Sequence, residues 1–75
     1  MNKESLIQIV ELQSGRKGVK MENRFVEDLG LESIEMVYIL ASIESSTGFF
    51  IPEDAIPELK TVQDLFNYIS IHLPK

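Results

Sequence analysis

Phe25-Val26-Glu27-Asp28-Leu29-Gly30-Leu31-Glu32-Ser33-Ile34 is the stretch on which the rest of the chain turns. An acidic turn containing one glycine delivers a serine to the start of an apolar helix. A serine in that place has three uses: it caps the helix, it presents a hydroxyl to solvent, and it holds any phosphate linked to it near the positive end of the helix dipole. Alone it signifies little, because serine is among the preferred N-cap residues and most helix-start serines do nothing else. What flanks it decides its meaning.

C-terminal to the serine, a helix is expected from Ser33 to near Gly48, where glycine supplies the left-handed conformation that closes a helix. At about 100° per residue, Met36, Ile39, Leu40 and Ile43 fall on one arc, while Ile34, Val37, Tyr38 and Ala41 fall largely on another. One arc can face a bundle and the other a partner. N-terminal to the serine, residues 15–32 show no sustained period, which predicts a long loop pinned by Val19, Met21, Phe25 and Leu29. Long loops in small domains are often functional.

The outer segments complete the bundle. Asn2 caps a first helix whose Leu6, Ile9 and Val10 form an apolar stripe and which ends by Ser14-Gly15. Phe49-Phe50-Ile51 reads locally like a strand, but without a second strand to pair it is an extended connector whose apolar residues plug the core. Pro52 opens a brief helical turn through Ile56, which Pro57 truncates or distorts. Thr61, with Asp64 three residues on, caps a last helix carrying Val62, Leu65, Phe66, Ile69 and Leu73 before Pro74. The fold class that follows is all-α: a small four-helix bundle with three principal helices, one short third helix and a long loop between helices 1 and 2. Its expected core includes Leu6, Val10, Phe25, Leu40, Ile43, Ile51, Leu59, Leu65, Phe66 and Ile69.

Length and charge bound the function. Seventy-five residues fit one domain, 1–75. At the usual stability per residue such a domain holds together by about 4 to 11 kcal/mol, which leaves no reserve for a cavity of enzyme size. Cysteine is absent, so the polypeptide offers no disulfide, thiolate metal site or thiol chemistry of its own. The longest apolar run, Met36 to Ala41, is too short for a bilayer and no secretory leader is visible, so the chain reads as cytoplasmic, without stable membrane insertion. Twelve acidic residues against seven basic give a net charge of −5, which disfavours nucleic acid and favours basic partner surfaces. Arg16, Lys17, Lys20 and Arg24 cluster, but in a glycine-broken stretch without aromatic interleaving, and read as a solvated loop.

Other chemistries fit less well. A hydrolytic Ser33 would need a base and an orienting group, and the sole histidine, His72, lies at the far end of a chain that lacks a Gly-x-Ser-x-Gly elbow. His72 has no cysteine or second histidine with which to build an ordinary zinc site and reads as a surface residue suited to a helix C-terminus. Asp28, Glu32 and Glu35 do not follow a calcium-loop pattern.

Phe25, Asp28-Leu29-Gly30, Glu32-Ser33-Ile34, Gly48, Ile51-Pro52 and Thr61-Val62-Gln63, in that order and spacing, resemble the acyl carrier protein family over about residues 25–73. In that family the serine of an Asp-Ser-Leu triplet bears 4′-phosphopantetheine, so the resemblance implies that role for Ser33. The triplet here is Glu-Ser-Ile, which keeps one acid and one aliphatic residue. The implied function is to carry acyl or related groups as thioesters between enzymes, without being an enzyme. The implied partners are a phosphopantetheinyl transferase and acyl-loading and acyl-processing enzymes, met by a monomer. Within that role Asp28, Glu32, Glu35 and Glu44 would attract basic surfaces, and Ile34, Val37 and Tyr38 would supply apolar contact. An alternative is a non-catalytic interaction module that keeps the fold with an unmodified Ser33.

Overall fold

The structure, a computed structural model, describes residues 1–72. Three α-helices, α1 (Lys3–Ser14), α2 (Ser33–Thr47) and α3 (Val62–His72), are joined by a long loop and by a 3₁₀ segment at Glu53–Glu58. The local signals account for the boundaries. The Asn2 side chain accepts from the Ser5 N–H at 2.7 Å, and Gly15 closes α1 with φ +74° and an N–H donated to the Glu11 carbonyl. Thr61 Oγ1 accepts from the Asp64 N–H at 2.9 Å while Asp64 Oδ2 accepts from the Thr61 N–H at 3.1 Å, a reciprocal box at the start of α3. Leu73 and Pro74, expected to extend and stop that helix, lie outside the described residues.

Helix α1 packs against α2 and α3. Leu6, Val10, Ile39, Ile43, Val62 and Leu65 are fully buried between them. The two arcs of α2 separate as their periodicity predicts: Met36, Ile39, Leu40 and Ile43 are buried, whereas Ile34 and Tyr38 remain about half exposed, at 51% and 52%. The connector after Gly48 is unpaired and extended, but it plugs the core with one residue and not three. Ile51 is buried, Phe49 packs partly against the ring of Tyr68, and Phe50 stands in solvent at 62% exposure. Strand-like alternation explains this, because neighbours in an extended chain face opposite ways.

Two further expectations need correction. Phe66 is half-buried and not a core residue; its ring lies under the Lys3 ammonium, with Nζ 5.8 Å from the ring centre. The α3 stripe is narrower than its hydrophobicity suggests, because Val62, Leu65 and Ile69 already make up its buried face. The short third element runs through Pro57 to Glu58 as a 3₁₀ helix, with Ala55 buried beneath it. Its Ala55 N–H donates to the Pro52 carbonyl and its Leu59 N–H to the Ile56 carbonyl. Proline at position 57 is tolerated because short 3₁₀ pieces demand few internal hydrogen bonds.

Candidate functional site

The long loop is ordered by its backbone, and this is how Ser33 comes to be where it is. Residues 24–31 fold into a compact turn in which the Gly30 N–H donates to the Val26 carbonyl (3.0 Å) and the Leu31 N–H to the Phe25 carbonyl (2.9 Å). Gly30 has φ +64°, and this paired closure is the arrangement that ends helical turns with a left-handed glycine. A side chain at residue 30 would strain that conformation. Beneath the turn Phe25 is buried, at 1% exposure, and Leu31 at 4%.

Three backbone hydrogen bonds sew the loop to the start of α3: Phe25 N–H to the Lys60 carbonyl (2.9 Å), Val62 N–H to the Asn23 carbonyl (3.0 Å) and Gln63 N–H to the Met21 carbonyl (2.8 Å). An isolated antiparallel bridge between Arg24 and Thr61 marks the same seam. On the other side, Arg16 reaches from the end of α1 with Nε donating to the Leu29 carbonyl (2.9 Å) and Nη1 to the Ser14 carbonyl (2.8 Å). Arg16 is thus a tether and not part of a freely solvated basic cluster. The missed signal was its position just past a helix end, where an arginine finds unsatisfied carbonyls within reach.

Ser33 is the first residue of α2 and is exposed, but it is not the N-cap. That position belongs to Glu32, whose extended backbone (φ −91°, ψ 165°) precedes the helix and whose N–H donates to Glu35 Oε1 at 3.1 Å. The correction matters chemically. A capping serine would have its oxygen turned toward the backbone N–H groups, whereas at the first helical position the side chain is spared that duty. The hydroxyl therefore stands at the positive end of the helix dipole without being needed to hold the helix.

Other serines sit less favourably for a phosphate. Ser14 is buried at 7%, Ser5 and Ser42 are half-buried, and Ser45, Ser46 and Ser70 are exposed in the last turns of α2 and α3, where the dipole has the opposite sign. Beside Ser33 lies an open groove of about 530 Å³ lined by Val26, Leu31, Ile34, Met36 and Ile56 together with Glu32. An exposed hydroxyl with an open, largely apolar channel next to it fits a covalently linked extended arm.

The acidic residues around it have separate tasks. Asp28 turns inward on its own loop: Oδ2 accepts from the Arg24 N–H at 2.8 Å and lies 3.5 Å from Arg24 Nε, and Glu27 lies 3.9 Å from Arg24 Nη1. The hydrogen bond from the Arg24 backbone, helped by the Arg24 side chain and partly opposed by desolvation, holds the Asp28 carboxyl below the usual aspartate range. A carboxyl whose folded pKa is depressed stabilises the fold fully above its unfolded value, about 3.9, and that contribution is lost as pH falls through the lower folded value. The Asp28 carboxyl carbon followed by NMR should therefore titrate at lower pH in the native chain than in the urea-unfolded chain, with the Arg24 amide moving in step. Equal midpoints would show that this hydrogen bond does not persist in solution.

His72 is equally committed elsewhere. Its Nδ1 donates to the Tyr68 carbonyl at 2.8 Å, and its ring stacks on Tyr68 (4.3 Å between centres) and Phe49 (5.8 Å) at the end of α3. Among the described residues no cluster of three or more His, Asp or Glu side chains could hold a metal ion, and no helix is long and apolar enough to cross a membrane.

Comparison with known proteins agrees with this arrangement. Residues 4–69 match the family described as "Phosphopantetheine attachment site". The acyl carrier protein of Tropheryma whipplei (strain Twist) is 38% identical over 68 residues, covering 88% of this chain and 83% of its own. That of Rickettsia bellii (strain RML369-C) is 32% identical over 71 residues, covering 92% and 83%. That of Thermobifida fusca (strain YX) is 45% identical over 51 residues, covering 68% and 65%. With a helical bundle, an exposed serine opening its second helix and a family match across most of its length, this chain belongs to the acyl carrier protein family, the carriers of covalently attached 4′-phosphopantetheine.

Proposed function

We propose that residues 1–75 form a single carrier domain in which the Ser33 hydroxyl is the attachment point of 4′-phosphopantetheine, and that the domain carries acyl groups between separate enzymes. The carrying observation is the exposed Ser33 at the first position of α2, spared from capping and directly after the Gly30 turn, inside the span that matches the attachment-site family. When bound, the arm supplies the thiol that this cysteine-free chain lacks. The chain's own residues position it. Gly30 turns the backbone, Phe25 and Arg16 anchor the turn, and the N-terminal end of α2 favours the phosphodiester. Glu32 and Glu35 oppose that phosphate, which favours an arm directed to solvent. His72, engaged with Tyr68 and Phe49, is not offered to Ser33 as a base, which supports a carrier that leaves the chemistry to its partners.

In this reading the domain works in the cytoplasm as a monomer. Its partners are a phosphopantetheinyl transferase and acyl-loading and acyl-processing enzymes. Incubation with coenzyme A and a broad-specificity transferase should add the mass of one phosphopantetheinyl group, and peptide fragmentation should localise it to Ser33. An unmodified chain with several transferases, or an arm on Ser45 or Ser46, would reject the assignment.

Docking is proposed for the exposed arc of α2. Ile34 and Tyr38, about half exposed, and the partly covered Val37 would make the apolar contact. Asp28, Glu32, Glu35 and Glu44 would steer and orient basic surfaces, setting association rate more than affinity. With an acyl-processing enzyme that accepts this carrier, Tyr38→Ala should weaken binding by more than ~1 kcal/mol with helicity unchanged, and added salt should reduce affinity only modestly. Unchanged binding in Tyr38→Ala, with a large loss in Glu35→Gln, would make recognition electrostatic instead.

A further inference from the structure

Away from Ser33, Phe50 presents a large aromatic surface to solvent although both of its neighbours turn inward, Ile51 into the core and Phe49 against Tyr68. It helps line a small cavity of about 200 Å³ between α2 and the segment that follows it. Its apolar lining is the buried pair Leu40 and Ile51 together with Val37, Ala41 and Phe50. Two carboxylates, Glu44 from α2 and Glu53 from the start of the 3₁₀ segment, line the same space. No lysine or arginine lines it, and neither carboxylate is in an ion pair among the described residues.

The dimensions and chemistry select an occupant. Small-molecule sites usually occupy about 300 to 1,000 Å³, so this cavity is suited to one side chain and not to a metabolite. Apolar walls call for a methylene stem, and two unpaired carboxylates call for a cation at its tip. An exposed aromatic face discriminates further. A planar guanidinium stacks on such a ring and still directs several N–H donors in its own plane toward carboxylates, whereas a lysine ammonium is a compact, strongly hydrated point charge.

We infer that this cavity is a receptor for a single arginine side chain presented by a partner protein, with the guanidinium against Phe50 and hydrogen-bonded to Glu44 and Glu53. Phe50 then acts as a specificity-determining residue: it makes the carrier prefer partners that dock through arginine over those that dock through lysine. The inference extends the docking face proposed above to the connector after α2, and it does not depend on what Ser33 carries.

The probes are three peptides, N-acetyl-Leu-Arg-Leu-amide and its lysine and glutamine counterparts, titrated at low ionic strength into the ¹⁵N-labelled chain and followed by NMR. The arginine peptide should give saturable shifts at Val37, Ala41, Glu44, Phe50 and Glu53 and bind more tightly than the lysine peptide. Phe50→Ala, at an exposed position that leaves the core untouched, should weaken the arginine peptide about two- to fivefold and remove its advantage over lysine. The double variant Glu44→Gln, Glu53→Gln should abolish saturation. A Ser33→Ala chain should bind as the wild type does, which separates this result from the fate of the attachment assignment. Equal affinity for all three peptides, shifts spread over every acidic segment, or arginine binding unchanged in Phe50→Ala would each overturn the inference.

Discussion

A chain carrying Ser33→Ala should remain folded and gain no mass from coenzyme A and a transferase under conditions that convert the wild type. The two halves of this expectation have different causes. Loss of modification follows from removing the only atom at residue 33 to which a phosphodiester can be joined. Retention of the fold follows from the position of the residue. Replacing a capping serine typically costs about 0.5 to 2 kcal/mol, but the N-cap of α2 is Glu32, and alanine is a better helix former than serine at a helical position. The urea midpoint of Ser33→Ala should therefore match the wild type closely. A midpoint clearly lower than the wild type's would show that the hydroxyl supports the helix after all, and a full mass gain in the variant would move the attachment point elsewhere.

Phe25→Ala should be the most damaging substitution in the loop. The side chain is 1% exposed, and truncating a buried phenylalanine costs about 3 to 5 kcal/mol. Against the total of about 4 to 11 kcal/mol available to a chain of this length, that loss removes at least about a quarter of the stability and, at the low end of the range, all of it. The consequence reaches the site because both backbone groups of Phe25 are also in use: its N–H is donated to the Lys60 carbonyl and its carbonyl accepts from Leu31. Removing the ring frees the seam between the loop and α3 together with the turn that leads to Ser33. Urea denaturation should show the midpoint falling by at least ~1 M, while Phe25→Leu, which keeps much of the volume, should lose less than about 1.5 kcal/mol. A cost below about 1 kcal/mol for Phe25→Ala would mean that the loop is held by its hydrogen bonds and not by this ring.

Much of this was legible along the chain because it is local. Helix ends at Asn2, Gly15, Gly48 and Thr61 are decided within a few residues by caps and by left-handed glycines, and the structure has them where those signals stand. The two arcs of α2 follow from helical geometry alone, so Met36, Ile39, Leu40 and Ile43 could be assigned to the interior before any partner helix was known. The family resemblance likewise rested on short ordered motifs, and the match over residues 4–69 agrees with it.

The misplaced residues were those whose environment is set by distant parts of the chain. Serine and glutamate compete for the N-cap of α2, and the outcome depends on the angle at which the preceding turn enters. That angle is set by Gly30, by the burial of Phe25 and Leu31, and by the Arg16 tether from α1. Phe66 has the spacing of a core residue, but Leu65 and Ile69 occupy the available interior and leave it half out, beneath Lys3. Phe49, Phe50 and Ile51 are similar in hydrophobicity, and only the path of the connector over the bundle sends Ile51 inward and Phe50 to the surface.

What the sequence by itself determined is the set of helices, their inward faces and the serine that opens the second of them. The tertiary structure decided which residue caps that helix, which basic residue ties the loop down and which aromatic ring of the connector stands in solvent. The division has a physical reason. Periodicity and capping are short-range properties of the backbone and its nearest side chains, whereas burial depends on how much interior remains once the helices have met.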